Sequence, residues 1–437
     1  MSTPRQLSLT TATMLVVASM IGTGVFTTTG FLVADLHTPR AVLVCWTLGG
    51  VAALCGALAY GELAAAFPKN GGEYALLGRI YHPALGFVAG FVSLFVGFAA
   101  PIAAGAIAFG AYLHRAVPYG PDWWPQLAGC GLIVLASLLH ASTVRTGSRT
   151  QNLFTALKAL LLLGFIGFGL EAGIYQRLFS AQDPWQGLAT PEMAVGLVYV
   201  SFAYTGWNAA AYVAGETRSP EKNIPRALLL GTLVVTVLYV ALNVVFLIST
   251  DLDALSGQVE VGHVAAEALF GPTAARVLSL IIALGLLSTV GAMVLTGPRI
   301  YEAMGKDHPR LAVFAVRRAG GGPTWATWTQ AAVSIAMALT ASFDALLVYA
   351  GVSLSLFAGL TALGVFVSRW REPELERPYR TWLHPWTTLV FLGLTGWMMV
   401  HSLLDRPVVP LYAGGTLLVG VIAWAVFGRR TAEPTSF

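Results

Sequence analysis

Charge is what this 437-residue chain has least of: Asp, Glu, Lys and Arg together make up 11% of it, against 56% hydrophobic residues. A soluble domain of that length needs far more polar surface than this composition supplies. Cysteine is scarcer still. Cys45, Cys55 and Cys130 all lie inside apolar runs, with neither metal-ligand spacing nor the pattern of a disulfide framework, which leaves them as packing residues. No two histidines have metal-ligand spacing and no serine stands in a nucleophile elbow. Gly22-Thr23-Gly24 lacks the third glycine and the βαβ setting of a dinucleotide fingerprint. These absences argue against an enzyme, and no cofactor or metal is expected. The net charge of +4 does not point to nucleic acid either, because the basic residues fall in short loops instead of forming a patch.

What the chain has is apolar length. Read for runs of about 20 apolar residues, it offers twelve, at 8–34, 41–65, 84–113, 124–144, 150–172, 192–215, 227–249, 273–303, 323–342, 345–368, 384–404 and 408–428. The fold class expected is therefore an all-α membrane protein with twelve transmembrane helices. The first run is too long for a signal-peptide core and has no clear cleavage site, so it is kept as a helix. With both termini cytoplasmic, nineteen Lys and Arg residues fall on the inner side, five fall outside, and Lys158 lies within a run. That bias fits a multi-pass protein of the plasma (inner) membrane. The tail from 429 to 437 reads as disordered.

Residues 6–34 carry no charge at all, yet Ala18-Ser19-Met20-Ile21-Gly22-Thr23-Gly24-Val25-Phe26 interrupts their helical pattern with two glycines. In lipid, irregular backbone is tolerated only where it lines a cavity or is buried in protein. The freed amides of Gly22, Thr23 and Gly24 suit a carboxylate, helped by the half-helix dipole, and freed carbonyls near Met20 and Ile21 suit a cation. A plain helix-packing role for the glycine pair is the alternative. A second polar, glycine-bearing stretch, Ser201-Phe202-Ala203-Tyr204-Thr205-Gly206-Trp207-Asn208, sits five runs later. Two interrupted helices in corresponding positions of two halves point to an inverted-repeat transporter with its site at the midplane. Five is odd, so the second copy is inverted.

Lys158 is the one charge deep inside a run, nine residues from Arg149, or about 13 Å at about 1.5 Å per residue. Such a charge costs about 2.5–3.5 kcal/mol on insertion scales and marks function by default. Glu62, near the inner edge of the second run, is either solvated by headgroup water or paired with a basic residue of a moving gate. Ser288 and Thr289 lie at mid-depth of the eighth run, where their hydroxyls either face the broken first helix or bond their own backbone. His140 is left unassigned.

Ile21-Gly22-Thr23-Gly24-Val25-Phe26, together with Phe202-Ala203-Tyr204-Thr205-Gly206-Trp207-Asn208, Gly215-Glu216 and Thr296-Gly297-Pro298-Arg299, resembles the signatures of the amino acid–polyamine–organocation transporters. The likeness is strongest to their neutral amino-acid exchangers. The resemblance implies a leucine-transporter-type 5+5 inverted repeat in a single transport domain: 8–172, then 192–368, with two accessory helices at 384–428. It implies sodium-independent exchange of small or mid-sized neutral amino acids around broken helices one and six. Met20, Ile21, Gly22, Thr23, Gly24, Phe202, Ala203, Thr205 and Gly206 are the expected substrate-binding residues. Phe202, Asn208 and Glu62 are the expected gates. Lys158, with Ser288 and Thr289, is expected to replace the sodium ion used elsewhere in this fold, its ammonium suited to the carbonyls freed near Ser19 to Gly22 and to the hydroxyl of Thr289. Thr205 departs from the glycine of close relatives and narrows the side-chain pocket. The cysteine-free outer loop after the third run implies no disulfide-linked heavy chain. A proton-coupled symporter of cationic amino acids or polyamines, or a channel, remains the alternative.

Overall fold

The structure is a computed structural model that describes residues 7–142, 148–179, 186–317, 322–405 and 408–428; side chains of 140–142, 148–157 and 409–410 are outside the described set. It is helical nearly throughout, and among the described residues the only β pairing is two isolated bridges. A helix satisfies its backbone locally, which is what hydrocarbon demands.

The chain opens with α1 (Leu9–Met20) and α2 (Gly24–Leu36), and continues through α3 (Pro39–Ala66) and a short α4 (Gly72–Ile80). α5 (Pro83–Ser93) joins α6 (Ala100–Ala116) through a π-helical turn at Leu94–Ala99. α7 (Trp124–Ser142), α8 (Ser148–Ala172), α9 (Pro191–Ala203), the one-turn α10 (Ala209–Tyr212) and α11 (Pro220–Ser249) follow. Two short pieces, α12 (Leu252–Leu255) and α13 (Val261–Phe270), lead to α14 (Pro272–Asp307), α15 (Thr324–Thr340), α16 (Phe343–Arg371), α17 (Trp386–Asp405) and α18 (Val408–Phe427).

Each of the twelve apolar runs coincides with a helix or an interrupted pair. Among the described residues, six helices are long and apolar enough to cross a membrane by themselves, among them α3, α11, α14 and α16, and the pair α1–α2, bent by 43°, makes a seventh if it is taken as one span. Starts are set by local chemistry. Thr38 accepts a hydrogen bond from the Ala41 amide at 3.2 Å with Pro39 in the first turn, and Thr190 does the same for Met193 at 3.3 Å ahead of Pro191. The π turn was not legible in the sequence. Pro101 has no amide to give the carbonyl four residues back, and the ladder widens there.

One contiguous core runs through the bundle, with Trp46, Tyr60, Tyr204 and Tyr239 wholly enclosed. α3 packs along α11 and α9, and its glycines make room for their side chains: a Cβ on Gly49 would stand 2.3 Å from Val200 Cγ1 of α9, and one on Gly50 2.3 Å from Thr236 Cγ2 of α11. α1 lies on α11 and α2 on α9, so the two interrupted helices run side by side. Trp370, Trp382 and Trp386 are exposed around the end of α16 and the start of α17, as an interfacial aromatic belt would be. The expected disordered tail at 429–437 lies outside the described residues, as does the side chain of His140.

Candidate functional site

The helical ladder of α1 ends where the Ile21 amide donates to the Val17 carbonyl at 3.0 Å, and that of α2 resumes with Phe26 donating to Thr23 at 3.0 Å. Thr23 gives α2 no side-chain cap. The Gly24 and Val25 amides that open α2 ahead of that bond have no backbone acceptor, and they stand at the positive end of its dipole. On the other side of the break, the buried Tyr239 hydroxyl donates to the Met20 carbonyl at 2.5 Å. Tyr239 is held by ring contacts with Trp46 at 5.5 Å and Tyr204 at 5.2 Å.

The second break follows α9. Residues 204–208 form turns, and both the amide and the hydroxyl of Thr205 bond the Phe202 carbonyl, at 3.0 and 2.7 Å. Gly206 sits at φ 101°, where only glycine is at ease. A Cβ there would lie 2.7 Å from the Ser19 carbonyl carbon and oxygen, and a Cβ on Gly24 would lie 2.4 Å from the Ala203 Cα. The two breaks thus touch at backbone distance, and they bring together Met20 to Gly24 with Phe202, Ala203, Thr205 and Gly206. Phe202 is enclosed at 4% exposure, whereas Ser19 is exposed, and Gly22, Thr205 and Gly206 are partly so. Amide donors, free backbone edges and a buried ring, with no carboxylate on either break, form a cradle chemically suited to a zwitterion.

Lys158 on α8 reaches this neighbourhood through α14. Its ammonium donates to Thr289 Oγ1 at 2.6 Å, and that hydroxyl donates in turn to the Gly285 carbonyl at 3.2 Å. The lysine stem lies along Gly285, and Thr289 Cγ2 is 3.8 Å from where a Gly22 Cβ would stand. The hydroxyl half of the expected contact is therefore present. The carbonyl half is not: the Met20 carbonyl is taken by Tyr239, and no carbonyl from Ser19 to Gly22 accepts from Lys158. Ser288, one position along α14, is buried and makes no bond to the lysine.

Glu62 is paired, and with a strong partner. Arg369 grips it through two bonds of 2.9 and 2.7 Å, Arg377 stands at 3.6 Å, and both the amide and the hydroxyl of Thr381 donate to it at 2.7 and 2.8 Å. Burial and this carboxylate push the nearby Tyr379 phenol up to about 12. The cluster ties the C-terminal end of α3 to the end of α16 and the segment after it. Because Glu62 is 1% exposed, Arg369→Ala should destabilise the protein by about 1.5–3 kcal/mol, since it takes the bidentate partner from a buried carboxylate and leaves it only Arg377 and Thr381. A thermal melt matching the parent would show that Arg377 alone suffices.

Asn208, another expected gate, makes no bond to Glu62. Its amide donates to Glu73 Oε1 at 2.6 Å. Sequence reasoning missed Glu73 and Tyr239. A polar pair one turn apart, Tyr239 and Asn243, in an otherwise apolar run was the available signal for the second; the Asn243 amide does bond the Tyr239 carbonyl at 2.8 Å.

The sequence model of the family described as amino acid permease matches residues 7–423. The chain is 27% identical over 431 residues to the large neutral amino acids transporter small subunit 2 of Mus musculus, covering 95% of this chain and 80% of that one. It is 26% identical over 436 residues to the b(0,+)-type amino acid transporter 1 of Mus musculus, with 98% and 88% covered. To the Asc-type amino acid transporter 1 of Rattus norvegicus it is 27% identical over 419 residues, with 93% and 78% covered.

Proposed function

The chain belongs to the amino acid permease family, and on that footing we propose that it is a secondary active exchanger of small or mid-sized neutral amino acids. The observation that carries the substrate class is the meeting of two interrupted helices, Gly206 against Ser19 and Gly24 against Ala203, with amide donors present and no acidic side chain on residues 19–24 or 202–208. A carrier of cationic amino acids or polyamines would need a carboxylate there. The substrate's carboxylate takes the amides opening α2, and its ammonium takes the carbonyls left free at the breaks. Of the relatives' names, one calls its bearer a large neutral amino acids transporter, which supports neutral amino acids as the cargo; the limit on size rests on the narrowing of the pocket by Thr205 and not on the names.

The finer architecture is part of the same proposal. Twelve crossings place both termini in the cytoplasm, 8–172 and 192–368 form the inverted repeats of one transport domain, and 384–428 add two accessory helices in a plasma-membrane protein. Lys158 supplies the positive charge that a sodium ion supplies in other carriers of this fold, so transport is sodium-independent. Thr289 is its partner, and Ser288 has the lesser part. Asn208 and Phe202 gate the site, and Glu62 anchors the frame against which they move. One relative's name calls it a small subunit, so a companion chain is a matter for test here. With no cysteine between Ala116 and Gly129, any companion is not disulfide-linked through that outer loop. Gel migration unchanged by reductant would agree.

Two experiments follow. In a thermal-shift screen of the twenty amino acids, small neutral ones should raise Tm, since a ligand of the native state stabilises by mass action; shifts from polyamines or sugars alone would overturn the assignment. Phe202→Ala should retain its fold yet lose most uptake, because it removes the ring enclosed beside the break. Unchanged rate and affinity would take Phe202 out of the site.

A further inference from the structure

Beneath the second break, the inner loop and the half-helix are clasped around one carboxylate. Glu73, on the first turn of α4, accepts from Tyr60 of α3 at 2.8 Å, from Asn208 at 2.6 Å and from the Tyr212 hydroxyl of α10. All three donors are neutral, and among the described residues no Lys or Arg pairs with Glu73. The loop before it grips the strap that follows α10, residues 213–218, through Asn70, which donates to Glu216 at 2.9 Å and accepts from the Gly215 amide at 2.9 Å. The Gly71 amide donates to the Tyr212 carbonyl at 3.2 Å. Gly72, at φ 52°, lets the loop press on the Tyr212 ring, since a Cβ there would stand 2.4 Å from it. On the far side of the strap, the Leu7 amide bonds the Glu216 carbonyl and the Arg218 amide bonds that of Leu7, at 3.0 and 2.9 Å.

We propose that Glu73 is the positioning residue of an inner clasp: it holds the inner half of the second broken helix shut against α3 and α4, and its release opens the site to the cytoplasm. The reasoning is geometric. Asn208 closes the turn that begins with Gly206, and Tyr212 ends α10, so both ends of the half-helix hang on the two oxygens of one side chain. That side chain stands on a different segment, the one leading into α5. Moving the half-helix therefore means parting from Glu73. An acceptor-only carboxylate matches three donors, whereas an amide in its place brings its own hydrogens to at least one of them. The inference rests on the transporter reading above.

The test needs no transported solute, so its failure and the failure of that reading are separable. Ser19→Cys is introduced with Cys45, Cys55 and Cys130 replaced by alanine, and labelled by a membrane-impermeant thiosulfonate in right-side-out and inside-out vesicles. Glu73→Gln should raise the inside rate about tenfold, the effect of one lost hydrogen bond to a charged group, with no rise from outside. Asn208→Ala and Tyr212→Phe should move it the same way, and Glu73→Asp should lie nearer the parent. Equal inside rates in the parent, Glu73→Gln and Asn208→Ala would overturn the clasp, and so would faster labelling from both faces, which signals general loosening. Should Glu73→Gln fail to fold, Tyr60→Phe and Tyr212→Phe, which leave the carboxylate in place, decide the matter by the same readout.

Discussion

Lys158→Met is expected to abolish uptake while leaving a folded, membrane-inserted protein. Methionine keeps the bulk that fills the space along Gly285 but has no donor for Thr289, so the bond of 2.6 Å between α8 and α14 is lost. A hydrogen bond to a charged group is worth about 1.5–3 kcal/mol. If it is made in only part of the transport cycle, its loss slows turnover by roughly tenfold to more than a hundredfold. Losing a buried charge also relieves its desolvation cost, so Tm should hold or rise while transport falls. Thr289→Val, which removes the acceptor and keeps the shape, should fall in the same direction by less. Full activity in Lys158→Met, or wild-type uptake that stops when choline replaces external sodium, would dismiss the lysine as the stand-in for sodium and leave the family assignment intact.

Gly206→Ala should be almost as damaging for a different reason. At φ 101° a side chain costs about 1–2 kcal/mol in backbone strain. The added methyl would also meet the Ser19 backbone at 2.7 Å, which cannot swing aside as a flexible side-chain tip would, and overpacking of this kind costs about 1–3 kcal/mol. The two breaks would be forced apart where the substrate is held. Uptake should drop to background and Tm should fall. Gly414→Ala is the matched control, with nothing within 4 Å of its Cβ and an ordinary helical φ, and it should do neither. Normal transport by Gly206→Ala would mean that the contact between the breaks is not where substrate binds.

Much of this arrangement was legible in the chain because membrane helices announce themselves by length. The twelve runs fell on helices or interrupted pairs, since in hydrocarbon nothing but a helix satisfies so long an apolar stretch. The breaks showed as polar, glycine-bearing stretches inside apolar runs, and Thr289 showed as a hydroxyl at the right depth opposite Lys158. Side-chain partnerships across the bundle were not legible. Tyr239 holding Met20 and Glu73 holding Asn208 join residues separated by 219 and 135 positions, and no periodicity in a single sequence encodes such a pairing. Glu62 was visible as a charge near the membrane edge, but its companion Arg369 stands 307 residues away. The expected carbonyl contacts of Lys158 are a similar case: the ammonium bonds Thr289, and the Met20 carbonyl at the break accepts from a tyrosine in a run that read as merely apolar.

The central claim, exchange of neutral amino acids at the two breaks, is tested most directly by counterflow in proteoliposomes. Vesicles loaded with a high concentration of unlabelled small neutral amino acid are diluted into sodium-free buffer holding a trace of the labelled one. Transient accumulation of label above equilibrium, absent in Lys158→Met and Gly206→Ala vesicles, is the predicted result. Label that only equilibrates passively, or that accumulates equally in both variants, would contradict the account.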